Sequence, residues 1–235
     1  MHKVAIMQPY LFPYIGYFQL IKAVDEFVVY DNIQYTKKGW INRNRILVNG
    51  KDETISIPLK KDSDFLDVKD RFLAETWSQD KKKLVNKITE AYRKAPHFKE
   101  VQPIIETCLN NDNQNLFEFI LASIKTINAY LEIKTPLVIS SALNIDHALK
   151  AEQKVIAICK ALNATHYLNP IGGVELYKKE QFKMEGIELQ FHKASNIPYI
   201  QFNNEFIPFL SIMDVMMFNS KEKINEYLTD GYSII

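Results

Sequence analysis

The stretch from Lys3 to Asp31 constrains the fold more than any other, because its hydrophobic period changes twice within one short span. Lys3–Met7 is an apolar run with β-branched Val4 and Ile6. A strand buried on both faces of a parallel sheet has this composition. Pro9 ends the run and Pro13 lies in the turn that follows. Ile15, Phe18, Leu20, Ile21 and Val24 then recur at helical spacing. From Glu26 to Asp31 strand character returns with Phe27, Val28 and Val29. Strand, turn, helix and strand in this order are the βαβ unit, so an α/β fold is predicted.

Beyond this unit a basic stretch, Asn32–Arg45, precedes a predicted hairpin. Its strands are 46–48 and 54–59, around Asn49-Gly50, a dipeptide suited to a two-residue turn. Residues 60–70 are highly charged and predict a surface loop or an irregular strand. Three helices are expected at 82–94, 98–109 and 116–131, the last capped by Asn113 or Asn115. Alternation then resumes: strand 137–140, helix 150–162, strand 166–169, a short helix 174–178 after Gly172-Gly173, and strand 187–192. Helices at 210–219 and 221–228 end the pattern. The expected organisation is a single α/β domain over residues 1–235 with a helical insertion at about 78–132.

Charge and motif content exclude several classes. Basic residues number 29 and acidic residues 28, so the molecule lacks the field that seeks polyanions, and no nucleic-acid partner is expected. No apolar run approaches the roughly 20 residues of a membrane span. The N-terminal run is too short, and too soon broken by Pro9, for a signal peptide. A cytoplasmic location without membrane insertion follows as the expectation, and Cys108 and Cys159 read as reduced core thiols. The five histidines show no metal-ligand spacing, and no Gly-x-Ser-x-Gly elbow, Walker loop or dinucleotide fingerprint occurs.

Two segments stand out as candidates for chemistry. The first, Gln8–Tyr17, follows the first strand and opens the first helix, where open α/β sheets bind ligands. Tyr14, Tyr17 and Gln8 offer hydrogen-bonding edges there. Gly16 would let a ligand approach the first helical turn, with its free N–H groups. The second is Lys37–Arg45, where Lys37, Lys38, Arg43 and Arg45 mix with Asn42, Asn44 and Trp40. In extended chain Arg43 and Arg45 share one face, an arrangement suited to holding carboxylate or phosphate. Smaller candidates are Ser140 and Ser141 at a strand end, and Asn169, Gly172 and Gly173 in a turn able to present backbone N–H groups. Asp214, in an apolar helix, needs a partner, for which an arginine is the natural expectation.

The run Met7-Gln-Pro-Tyr-Leu-Phe-Pro-Tyr-Ile-Gly-Tyr-Phe-Gln-Leu-Ile, followed by Asp31-Asn-Ile-Gln-Tyr-Thr-Lys-Lys-Gly-Trp-Ile-Asn-Arg-Asn-Arg, resembles the WbqC-like family. The likeness continues through Tyr167-Leu-Asn-Pro-Ile-Gly-Gly and Phe209-Leu-Ser-Ile-Met-Asp. The family is bacterial and associated with O-antigen and other surface-polysaccharide gene clusters. The resemblance implies a transferase that attaches an acyl or aminoacyl group, such as glycyl, to a nucleotide-linked amino sugar. Tyr14-Ile15-Gly16-Tyr17 also stands where nucleotidyltransferase-like folds carry His-x-Gly-His. That likeness implies a Rossmann-like, mostly parallel sheet, and a nucleotide (ATP or a nucleotide sugar) as the group bound. A phenol supplies no positive charge, so any phosphate would need Lys37, Lys38, Arg43 or Arg45. The alternatives are a non-catalytic binder of a nucleotide sugar or partner, and a nucleotidyltransferase-like enzyme. Tyr14, Tyr17, Arg43 and Asp214 are the catalytic candidates; the other residues named above would bind substrate.

Overall fold

A computed structural model describes residues 1–235. Its centre is a six-stranded sheet of β1 (Lys3–Met7), β2 (Glu26–Val29), β5 (Leu137–Ile139), β6 (His166–Pro170), β7 (Glu188–Ala194) and β8 (Tyr232–Ile234), in the spatial order β5-β2-β1-β6-β7-β8. All pairings are parallel except β7 with β8. The chain runs outward from β1 to β2 and β5, then returns to lay β6 against the other side of β1. The sheet's direction of growth therefore reverses between β1 and β6. At such a point the connections leave in opposite directions and open a crevice at the strands' carboxyl ends.

Alternation along the central strands explains why both faces are covered. Ala5, Phe27 and Val29 point into a core of 45 buried residues, whereas Val4, Ile6 and Val28 belong to a second core of 12. The larger core takes in α1 (Ile15–Lys22), the helices α2 (Trp77–Tyr92), α3 (Phe98–Leu109) and α4 (Leu116–Tyr130), and α7 (Ile212–Phe218) with α8 (Lys221–Asp230). The smaller core lies under α5 (Ala151–Ala161) and α6 (Lys179–Met184). Asn115 caps α4 by accepting from the Glu118 N–H.

β3 (Arg43–Val48) and β4 (Lys51–Ser56) form the hairpin, as a sheet of their own. Asn49 (φ 50°) and Gly50 (φ 76°) both take the left-handed conformation, as the tightest hairpin turn requires. Several boundaries differ from expectation: β4 spans Lys51–Ser56 and not 54–59, α2 begins at Trp77 and not at 82, and α7 is shorter than 210–219. β3 begins at Arg43, so both arginines lie on a strand and not in the loop before it. Residues 174–178 are not helical; α6 starts at Lys179, where the Lys178 N–H is taken by the Glu152 carboxylate. The terminal strand β8 was not foreseen, because only the free edge of β7 makes Tyr232–Ile234 extended: Phe191 and Ile235 exchange both backbone hydrogen bonds. No helix is long and apolar enough to cross a membrane.

Candidate functional site

The turn after β1 is held from outside. Phe12 is fully buried with φ 43°, a conformation costly for a side chain of its bulk. Three residues, Asn44, Ser211 and Ile212, hold it with four hydrogen bonds. Asn44 of β3 donates its amide to the Leu11 and Phe12 carbonyls at 3.0 and 2.7 Å. The Ser211 hydroxyl donates to the same Phe12 carbonyl at 2.9 Å, and the Ile212 N–H to Pro13 at 2.9 Å. Backbone strain of this sort survives only where the surroundings over-determine it, and it concentrates at functional sites. Phe209, also left-handed at φ 57° but half exposed, lies with its ring 6.1 Å from that of Tyr14.

Within this turn the tyrosines separate. Tyr17 is 2% exposed, packs edge-on to Phe27 and donates its hydroxyl to the Gln8 carbonyl, so it braces the turn from inside the core. Tyr14 folds back over the start of α1: a Cβ on Gly16 would stand 2.4 Å from its ring. The space that Gly16 opens is filled by Tyr14 and not left for a ligand.

The cationic segment also divides. Lys37 is exposed and paired with Asp64 at 2.8 Å, and Lys38 is exposed. Asn42 accepts from the Tyr35 hydroxyl and donates to the Ile57 carbonyl, tying the loop to the hairpin. The Arg43 guanidinium donates to the Gly39 and Lys38 carbonyls and lies 5.5 Å from the Trp40 ring centre. Arg45, at 5.7 Å from the same ring, is held at one side by Asp52. Trp40 thus gathers both arginines on one support.

Arg45 and Tyr14 meet across a cleft of about 440 Å³ whose other walls are Tyr10, Pro13, Trp40, Asn44, Ile171, Lys193, Ala194 and Phe209. Tyr10, Pro13 and Tyr14 come from the turn after β1, Ile171 from the turn after β6, and Lys193 and Ala194 from the end of β7. The aromatic and basic segments therefore share one cleft at the carboxyl rim of the sheet, at the reversal point. Arg45 and Lys193 are its cations, and no carboxylate or histidine lines it. Burial raises the Tyr14 phenol pKa; it raises that of Tyr10 as well, with Tyr14 adding to the effect.

Other candidates lie elsewhere. Asn169 is buried, accepts from Tyr167 and closes on Gly173, whose missing Cβ leaves room for its amide. Gly172 is exposed, and of this turn only Ile171 reaches the cleft. Ser140 and Ser141 belong to the far side of β1, where they donate to Asn32 and Asp31. The cleft's unforeseen members, Lys193, Ile171 and Phe209, lie far along the chain from both segments.

Asp214 has no cationic partner. It is fully buried and accepts from Tyr199 at 2.6 Å, Gln201 at 2.7 Å and Tyr92 at 2.8 Å. Tyr92 in turn accepts from the Leu47 N–H of the hairpin. Burial raises the Asp214 pKa, and these three hydrogen bonds oppose it. Asp214 stands behind the cleft; its nearest approach is through Tyr199, which lines a small neighbouring cavity of about 30 Å³ together with Tyr14 and Phe209. No group of three or more His, Cys, Asp or Glu side chains is placed to hold a metal ion.

Comparison with known proteins agrees with the motifs. The sequence model of the WbqC-like protein family matches residues 8–226. The chain is similar to the uncharacterized protein Rv1507c of Mycobacterium tuberculosis, 29% identical over 239 residues, which covers 97% of this chain and 98% of the other. No solved structure matches it.

Proposed function

From its membership of the WbqC-like protein family, we propose that this protein is a transferase of bacterial surface-polysaccharide biosynthesis, attaching an acyl or aminoacyl group to a nucleotide-linked amino sugar in the Arg45 cleft. One observation carries the proposal: aromatic faces from Tyr10, Tyr14, Trp40 and Phe209 surround the two cations Arg45 and Lys193 in a cleft of about 440 Å³. Such walls suit a sugar ring laid on aromatic faces with an anionic group beside it. The strand order, with the cleft at the reversal between β1 and β6, supports a Rossmann-like assignment and the nucleotide that goes with it.

In the reaction the sugar's amine attacks the activated acyl carbon, and negative charge develops on the carbonyl oxygen. Collapse of this intermediate forms the amide, breaks the bond to the donor's activating group, which leaves with the bonding electrons, and releases the amine proton to solvent. A tyrosine whose pKa is raised by burial stays protonated near neutral pH. Tyr14 then serves as a hydrogen-bond donor to that oxygen and not as a base. Arg45 and Lys193 hold phosphate or carboxylate, and Trp40 fixes Arg45 in place. Asn44 and Arg43 hold the shape of the cleft: Asn44 by gripping the turn, Arg43 by closing its own loop.

The absence of any carboxylate or histidine from the cleft walls favours one rival, a non-catalytic protein that binds the same nucleotide sugar. Incubation of the full chain with an activated acyl donor and candidate nucleotide-linked amino sugars, read by mass, separates the two. A product heavier by the acyl group supports the transferase. Ligand-induced thermal stabilisation with no product across donors supports the binder.

A further inference from the structure

On the other side of β1, beyond the ends of β2 and β5, lies a second cavity of about 630 Å³ that shares no lining residue with the Arg45 cleft. It is a built site. Ser141 donates to Asp31 through both its hydroxyl and its N–H, tying the end of β5 to that of β2. Asn32 accepts from the Ser140 hydroxyl at 2.9 Å and donates to His147 Nδ1 at 2.9 Å, while His147 Nε2 donates to the Leu143 carbonyl at 3.0 Å. Both ring nitrogens of His147 are thereby used.

At the base of this cavity is Lys154 of α5, 5% exposed. It makes no ion pair. Its ammonium has one long hydrogen bond, 3.3 Å to the Asn32 carbonyl, and lies 5.1 Å from the Tyr30 ring centre. An ammonium has three donors, so most of its capacity faces the cavity unused. Burial lowers the Lys154 pKa; Asp67 and Asp31, near but not in contact, oppose this and Lys69 adds to it. Two more cations, Lys69 and Lys150, line the same walls, against a single carboxylate, Asp67. The first residues of α5 form part of the wall, and Lys150 at its start makes no side-chain capping bond.

We propose that this cavity binds the phosphoryl group of a small molecule, with Lys154 as the central cation and Lys69 and Lys150 beside it. Three lysines line the cavity against Asp67, with Asp31 close behind, and this excess of positive charge suits an anion. The site is independent of the transferase assignment, since none of its residues touches the Arg45 cleft.

The test is calorimetric titration of the full chain with pyrophosphate alone and, separately, with ATP alone. Saturable binding of either is expected, with a component that is weakened about tenfold or more by Lys154→Met and by Lys69→Ala and that survives in Arg45→Ala, whatever the Arg45 cleft itself takes up. Lys154→Met keeps the chain length and relieves the burial of an ammonium but forfeits its attraction to Asp67 and Asp31, so its melting temperature should stay near that of the wild type. Lys69→Ala supplies the same information if that variant fails to fold. ATP binding more tightly than pyrophosphate would assign the phosphoryl group to a nucleotide; equal affinities would assign it to the free anion. Two results would overturn the proposal: no saturable binding of either at millimolar concentration, or binding that Arg45→Ala abolishes and the lysine variants do not.

Discussion

Arg45 and Arg43 sit two residues apart on one strand and on one tryptophan, yet only Arg45 lines the cleft with Tyr14. The difference is in what each guanidinium already holds. Arg43 spends its donors on the carbonyls of its own loop, whereas Arg45, beside its place on Trp40, has an exposed pair with Asp52 and a long contact to the Phe209 carbonyl. Arg45→Ala should therefore lower turnover or ligand affinity by about a hundredfold, the effect of a lost charge-assisted contact, while the melting temperature hardly moves because exposed ion pairs contribute little stability. A large loss of stability with unchanged affinity would reverse that assignment. Asp214 gives the opposite expectation. Three donors converge on it in a buried place, so Asp214→Asn, which puts an NH₂ against a donor, should destabilise the fold by about 2–4 kcal/mol in denaturant titration. Unchanged stability with abolished turnover would instead make Asp214 part of the chemistry. Arg45 and Tyr14 are legible in the sequence because each lies in a short, chemically unusual segment. Lys193 and Phe209 are not, since a lone lysine at a strand end and a lone phenylalanine in a loop gain meaning only when the fold sets them beside Tyr14.

The elements were readable where local pattern decides them and unreadable where a neighbour does. β1, α1 and β2 follow from period alone, and α3 keeps its predicted ends at Phe98 and Leu109. β8 escapes notice because three residues carry no period, and its existence depends on the free edge of β7. That edge also buries His192, which is 2% exposed, stacks on Tyr232 with ring centres 4.6 Å apart and leaves Nε2 without a partner. Burial lowers its pKa from 6.5 to about 4. The unfolded chain thus binds a proton there before the folded one does. Its contribution is fully present above the unfolded value of 6.5 and is lost as pH falls from there toward about 4. The loss is on the order of 3 kcal/mol over that interval. His192→Phe should flatten the fall in melting temperature between pH 7 and pH 4.5 relative to the wild type. Parallel curves for the two proteins would mean that His192 is free to charge in the folded state.

Across the whole molecule, one arrangement explains the strained turn, the hairpin and the closing helices together. The sheet reverses direction at β1 and β6, and the turn at Pro9–Pro13 hangs over that crevice. The hairpin's Asn44 and the Ser211–Ile212 corner hold the turn there from two sides. The sequence shows the α/β class and the two segments that meet. It does not show the corner at Phe209–Ser211, because the Ser211 hydroxyl finds its partner in the Phe12 carbonyl, a backbone group whose position no side-chain pattern encodes. The most direct measurement is a crystal structure of the protein with a nucleoside-diphosphate amino sugar. Density for the sugar and its anionic group between Tyr14, Trp40, Arg45 and Lys193 is the predicted result. A ligand bound elsewhere, with that cleft holding only solvent, would contradict the account.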